Sequence, residues 1–185
     1  MLAVIASACG GTAAAPSVSP TRLATAAVIR TAVPTLACPG IPSQPATKAT
    51  VTLEKGGTIV IQLRPEVAPK TVTIFAAKAK SGFYNGLTFH RVVANFVAQG
   101  GDPKGDGTGG GQECTELSDL PFVKGAVGVA RGGDITVSND SQFFLCTGEC
   151  LHLNKLYTNF GQVISGQDVA DKIAVGDKIK TITVE

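Results

Sequence analysis

The sequence lacks any apolar run near the roughly 18 residues that a membrane-spanning helix needs, so no spanning helix is expected. It also lacks a strong charge of one sign. Sixteen Lys and Arg against 14 Asp and Glu leave a formal net charge of +2 over 185 residues. That excludes the broad basic field by which nucleic acid is held, and no nucleic-acid partner is expected. The first 48 residues lack acids and aromatics altogether; their only charges are Arg22, Arg30 and Lys48. What is present elsewhere suits a folded domain: 44% hydrophobic and 16% charged residues overall, with all eight Phe and both Tyr beyond position 48. The length fits one well-cored domain. The chain therefore divides into a tail and a single domain over residues 49–185.

Residues 1–8 (MLAVIASA) are small and apolar and run into Cys9. They resemble the end of a bacterial lipoprotein signal, in which small residues precede a lipid-accepting cysteine. Residues 1–9 are thus expected to be a truncated signal of this kind. The domain would then lie outside the cytoplasm, secreted or held at a membrane by lipidated Cys9. Residues 10–48 are rich in Ala, Thr, Pro and Ser and hold six of the chain's ten prolines. Such a segment buries too little apolar surface to offset its ordering entropy, and it reads as a tether. Leu23–Val33 could pass for a short helix, but its lack of caps favours a loop. Besides Cys9 there are Cys38, Cys114, Cys146 and Cys150. They allow two disulfides in three connectivities, or four reduced thiols, and the sequence does not choose. Cys146 and Cys150 lack the two-residue spacing of a thioredoxin-type redox pair.

From residue 49 the pattern is that of strands. Ala49–Leu53 and Thr58–Leu63 alternate around a Lys55-Gly56-Gly57 turn and predict a hairpin. Pro69 opens a helical segment in which Val72, Phe75, Ala76 and Ala79 share one face, ended by Ser81-Gly82. Further strands are predicted at Thr88–Val93, Phe96–Gln99, Ala126–Ala130, Gln142–Leu145, Asn159–Ile164 and Ile179–Val184, with a short helix at Gln167–Ile173. Eight short strands joined mostly by loops make a mainly β protein, an antiparallel barrel or sandwich.

Three stretches carry a resemblance: FHRVVANFVAQGGDPKGDGTGGG (89–111), GVAR with SQFFL (128–131 and 141–145), and HLNKLYTNFGQVISG (152–166). In order and spacing they resemble the cyclophilin family of peptidyl-prolyl cis–trans isomerases, and the likeness covers nearly all of residues 49–185. It implies an eight-stranded antiparallel barrel capped by two helices, with no cofactor and no metal. The expected substrates are X–Pro bonds in unfolded or flexible protein segments, acted on by a monomer. By the same resemblance Arg91 is the catalytic arginine and Gln99 orients it and the substrate backbone. Phe96, Val97, Phe144 and Leu153 match the proline pocket, with valine where methionine is common at 97. Gln142 lines the groove. Ala130 and Arg131 match the segment whose main chain pairs with substrate. His152 stands where many members carry tryptophan and Tyr157 where others carry histidine, so weaker binding of cyclosporin-type cyclic peptides is expected. The alternative is a proline-peptide binding or holdase-type module with little turnover. Retained Arg91 and Gln99 favour catalysis over it.

Other motifs in the chain mislead. Gly105–Gly110 satisfies G-x-G-x-x-G but precedes no amphipathic helix. Residues 102–113 mimic a calcium loop, yet Lys104 occupies a ligand position. The glycine run is expected instead to form a wall of the groove, where absent side chains let a peptide backbone approach. His90 and His152 have no zinc-ligand spacing. By strand alternation His90 points away from Arg91 and is expected to be structural.

Overall fold

The structure, a computed structural model, describes residues 46–185. The expectations placed on residues 1–45, including Cys9, Cys38 and most of the tether, lie outside the described residues. Ala46–Lys48, read from sequence as the end of the tether, belong to the domain. Ala46 is buried, and Thr47 donates from its backbone to Glu185 at 2.7 Å while its carbonyl accepts from Leu63 at 2.9 Å.

Among the described residues nine strands form one antiparallel sheet: β1 (Lys48–Leu53), β2 (Thr58–Leu63), β3 (Arg91–Val93), β4 (Val97–Gly100), β5 (Gln112–Cys114), β6 (Ala126–Arg131), β7 (Val137–Cys146), β8 (Asn159–Ser165) and β9 (Ile179–Val184). Eight of them run in the order β3-β4-β7-β6-β8-β2-β1-β9, and β5 adds to β7. All eight expected strands are present. β1 and β2 show why: Ala49, Val51 and Leu53, then Ile59, Ile61 and Leu63, alternate into the core. Their turn places Gly56 and Gly57 at φ of 92° and 93°, where a side chain would be strained. The two ends of the sheet approach each other through the segment before β3 and the segment before β9. Thr88 bridges Lys178, Phe89 donates to the Asp177 carbonyl at 2.8 Å, and Ile179 donates to that of Leu87 at 2.9 Å.

Helix α1 (Pro69–Lys80) fills the interior with the predicted Val72, Phe75, Ala76 and Ala79. Phe75 meets Tyr84, Phe143 and Phe160 at ring distances of 5.3, 5.6 and 5.2 Å. The residue before the helix, Ala68, offers no side-chain cap. The buried Glu116 carboxylate takes that role from a distant loop, accepting from the Lys70 and Thr71 backbone at 3.2 and 2.9 Å.

Three elements depart from the sequence reading by more than one residue at a boundary, and one strand is additional. β3 begins at Arg91 because Thr88 and Phe89 are engaged in the approach to β9. β7 begins at Val137, five residues before Gln142, because β5 and β6 both pair with its polar first half. β5 itself was not predicted. Helix α2 covers only Gln167–Ala170, and the chain continues to Ile173 in tighter turns. The cysteine alternatives both fail. Cys114 is disulfide-bonded, so the thiols are not all reduced, and Cys146 and Cys150 are free and buried, so two bridges do not form.

Candidate active site

The β3–β4 hairpin brings the first site residues together. Arg91 lies directly across from Gln99, and Gln99 lies across from Phe144 of β7, so three side chains sit abreast on neighbouring strands. The tight return at Asn95 (φ 57°) presents Phe96 at the hairpin's tip. Its carbonyl accepts from Thr147 at 2.8 Å and from the Cys150 thiol at 3.3 Å, which ties the tip to the segment after β7. That segment makes a 3₁₀ turn, Leu151–Leu153, pinned to Phe122 by two bonds: Cys150 donates to the Phe122 carbonyl at 2.9 Å, and the Phe122 amide donates to Asn154 at 2.7 Å.

These elements enclose a cleft of about 220 Å³. Phe144, Val97, Phe96 and Leu153 line it, as expected of an apolar slot, and Arg91 and Gln99 stand on one side. Ala130, Arg131 and Tyr157 stand on the other. Phe144 is held by a stacked Phe122 ring at 5.7 Å and an edge-on Tyr157 ring at 6.0 Å. Gly128 makes room for it, since a Cβ there would lie 2.3 Å from the Phe144 ring. Of the proposed site residues among those described, Gln142 and His152 lie outside this cleft's wall. Gln142 lines an adjoining cleft of about 240 Å³, which shares Gln99, Ala130 and Arg131 with the first. His152 lines neither cleft. It is exposed at the rim, with its ring 5.1 Å from that of Phe96.

The polar groups have defined orientations. Arg91 is exposed, no described carboxylate pairs with it, and its Nη1 donates to Gln99 Oε1 at 3.4 Å. Gln99 Nε2 donates to Gln142 Oε1 at 3.0 Å. Gln142 Nε2 donates in turn to the carbonyls of Gly107 and Gly109 at 3.1 and 2.8 Å. Arg131 is built into its wall: Nε donates to Leu156 O at 2.7 Å, Nη1 to Gly132 O at 2.9 Å, and the guanidinium lies 4.4 Å from the Tyr157 ring. Ala130 falls at a register shift between Val129↔Phe143 and Arg131↔Ser138, so it has no ladder partner on β7. A backbone freed in this way suits pairing with an extended chain.

The glycine loop does more than form a wall. Gly107 and Gly111 do border the second cleft. Gly109 and Gly110, however, are bare because the protein's own side chains fill the space. A Cβ at Gly109 would lie 2.0 Å from Asp102 Oδ1, and one at Gly110 2.5 Å from Asn139 Oδ1. Asp102, part of the calcium-loop mimic, turns its oxygens onto loop backbone N–H groups. His90 is half-buried, and neither ring nitrogen finds a hydrogen-bond partner. Sequence reasoning missed Asp102, Phe122, Gly128 and Cys150 as supports of the site. Only the isolated Phe122 beside Pro121 offered a signal, since a lone aromatic in a loop usually has a packing partner.

Residues 48–184 match the family model described as cyclophilin type peptidyl-prolyl cis–trans isomerase/CLD. The chain belongs to this family. Among its cyclophilin-type relatives, peptidyl-prolyl cis–trans isomerase B of Bacillus subtilis (strain 168) is 44% identical over 137 residues, spanning 72% of this chain and 94% of the relative. The peptidyl-prolyl cis–trans isomerase of Helicobacter pylori (strain J99) is 43% identical over 141 residues, spanning 72% and 85%. Among solved structures, a Cryptosporidium parvum cyclophilin-type isomerase crystallised in the presence of the dipeptide Ala-Pro superposes with a TM-score of 0.69 at 26% identity. That match covers 75% of this chain and 98% of the other. The chain is thus a cyclophilin-type enzyme, and its activity is peptidyl-prolyl cis–trans isomerisation.

Proposed function

We propose that this cyclophilin isomerises X–Pro bonds in unfolded or flexible protein segments by seating the proline on Phe144 and offering Arg91 to the twisted amide. Rotation about the bond meets a barrier of ~18–20 kcal/mol, set by amide resonance. No nucleophile is needed, only a surface that fits the twisted bond better than either planar form. In the twisted state the nitrogen lone pair leaves resonance and can accept a hydrogen bond. Arg91 supplies the donor. Its guanidinium is always protonated, and its rigid fork keeps donors to spare after one is given to Gln99. The planar amide nitrogen offers nothing comparable, so the bond strengthens along the reaction. A charged hydrogen bond contributes about 1.5–3 kcal/mol, or roughly one to two powers of ten in rate. The apolar floor grips the ring without competing for that donor, while Ala130 and Gln99 hold the flanking backbone.

The observation that carries this reading is an unpaired guanidinium held by Gln99 on the lip of an apolar slot. A protease-coupled assay on an Ala-Pro peptide, checked by exchange NMR, tests it. Arg91→Ala is expected to lose ten- to hundredfold in kcat/KM with an unchanged melting temperature. Activity equal to wild type would end the reading.

The enzyme is further proposed to act as a monomer outside the cytoplasm, held at a membrane by a lipid on Cys9. The small-residue run before Cys9 and the Pro- and Ala-rich stretch after it support that placement. Mass spectrometry of the native N-terminus tests it. A diacylglyceryl-cysteine supports the tether, and an intact Met1 removes it.

A further inference from the structure

We infer that Asp102, which lines neither cleft, is a positioning residue for Arg91 and acts on it through the glycine loop and two glutamine amides. The inference rests on the catalytic role proposed for Arg91.

The Asp102 carboxylate is buried, with the residue 1% exposed. Oδ1 accepts from the Lys104 backbone at 2.9 Å, and Oδ2 accepts from the backbones of Asp106 (3.0 Å) and Gly107. The Asp102 carbonyl takes a fourth backbone N–H, that of Gly105, at 3.2 Å. The loop is wound around one side chain, and Gly109 passes so close to it that no Cβ would fit. A carboxylate is the one side chain of this size that only accepts, so it can satisfy all three side-chain bonds at once. Burial pushes its acid up, but the Lys104 and Gly107 N–H groups, the facing His90 and the Asp106 N–H together hold it below the usual range. It therefore stays charged at neutral pH.

Winding the loop fixes where the Gly107 and Gly109 carbonyls point. Both receive the amide nitrogen of Gln142. An amide whose NH₂ is committed on one side must present its oxygen on the other, and Gln142 Oε1 meets the NH₂ of Gln99. The same logic leaves Gln99 Oε1 facing Arg91. Flipping either amide would set NH₂ against NH₂, or NH₂ against guanidinium. The direction of the whole row is therefore decided at its loop end, and Arg91 finds an acceptor because Asp102 holds two carbonyls in place.

Three variants test this: Asp102→Asn, Gln142→Ala and their combination, with Arg91→Ala as the reference. Asp102→Asn replaces an acceptor oxygen with a donor that opposes a loop N–H. Its kcat is expected to fall five- to tenfold while KM for the Ala-Pro peptide moves less than twofold, because the apolar slot is untouched. In the double variant the two losses should not multiply, since both break one row. NMR of the folded, peptide-free enzyme should show the Gln142, Gln99 and Arg91 side-chain N–H signals shifted in Asp102→Asn, with the Phe144 and Tyr157 rings in place. Wild-type kcat in folded Asp102→Asn, multiplying losses, or shifts confined to residues 102–110 would overturn the inference. If Asp102→Asn does not fold, Asp102→Glu keeps the charge but displaces the loop, and the same readouts apply. Full activity in Arg91→Ala would instead remove the catalytic reading, whatever Asp102 does.

Discussion

The two apolar clusters of the described residues draw on the same three strands, β4, β6 and β7, yet one is closed and the other open. The larger is closed, with Phe75, Tyr84, Phe143 and Phe160 packed ring on ring at the centre of the sheet. The smaller, built on Phe144, Phe122, Val97, Leu153 and the free thiols of Cys146 and Cys150, is open on one side, where the half-buried Phe96 and Tyr157 border the cleft. Phe143 and Phe144 are neighbours in β7, and alternation sends one ring to each cluster. One face of a single strand thus holds the fold together, while the opposite face shapes a place for a substrate ring.

The largest expected effect separates these faces. Phe143→Ala should destabilise the protein by about 3–5 kcal/mol, through lost burial and the cavity left behind, with kcat/KM of the folded protein within twofold of wild type. Phe144→Ala should destabilise it less, because a cleft already opens beside that ring, yet raise KM for proline peptides at least tenfold. Urea unfolding and the coupled assay read the two quantities. Equal activity losses in both variants would erase the distinction.

A second effect tests how tolerant the closed cluster is of charge. Glu113 borders a small void together with Phe75, Tyr84, Phe143 and Phe160. One carboxyl oxygen accepts from Thr71 at 3.2 Å, and the other is buried without a partner. Burial, opposed by the Thr71 bond and by Lys78 but joined by the charges of Glu116 and Asp140, pushes its acid up to about 8. The folded state therefore holds a proton that the unfolded chain releases near its ordinary value of 4.5. Stability from this group is full below that value and is lost as pH rises through about 8. The loss should be on the order of a few kcal/mol. Glu113→Gln should remove this slope, leaving the variant more stable than wild type at pH 9 and little changed at pH 5. Parallel pH profiles for the two proteins would contradict it.

The smallest effect sharpens the open cluster. Val97→Met adds length under the proline slot at a stability change under about 1.5 kcal/mol, and peptide affinity should rise two- to fivefold. An unchanged KM would mean that Val97 does not limit the depth of the slot.

Much of the closed cluster was legible in the sequence, because two-residue alternation marks β1 and β2 and the one-face spacing of a helix marks α1. β5 was not, since Gln112, Glu113 and Cys114 carry no alternation and pair with a polar half of β7. The open cluster was legible only through the joint match of its motifs. Phe96, Val97, Phe144 and Leu153 would each have passed for ordinary core. Asp102 stayed hidden for a physical reason: its partners are backbone N–H groups, which leave no trace in residue identity. The restricted role of His152, a rim contact outside the cleft wall, depended on the 3₁₀ turn that carries it.

The incomplete seam between the segments before β3 and β9 has a consequence for a protein that handles extended chains. Beyond the bridge at Thr88 and Lys178, what is left at the β3 end is a strand of three residues. A visiting polypeptide that tried to extend the sheet there would gain too few hydrogen bonds to stay. The β3 end is therefore a poor template for a growing ribbon.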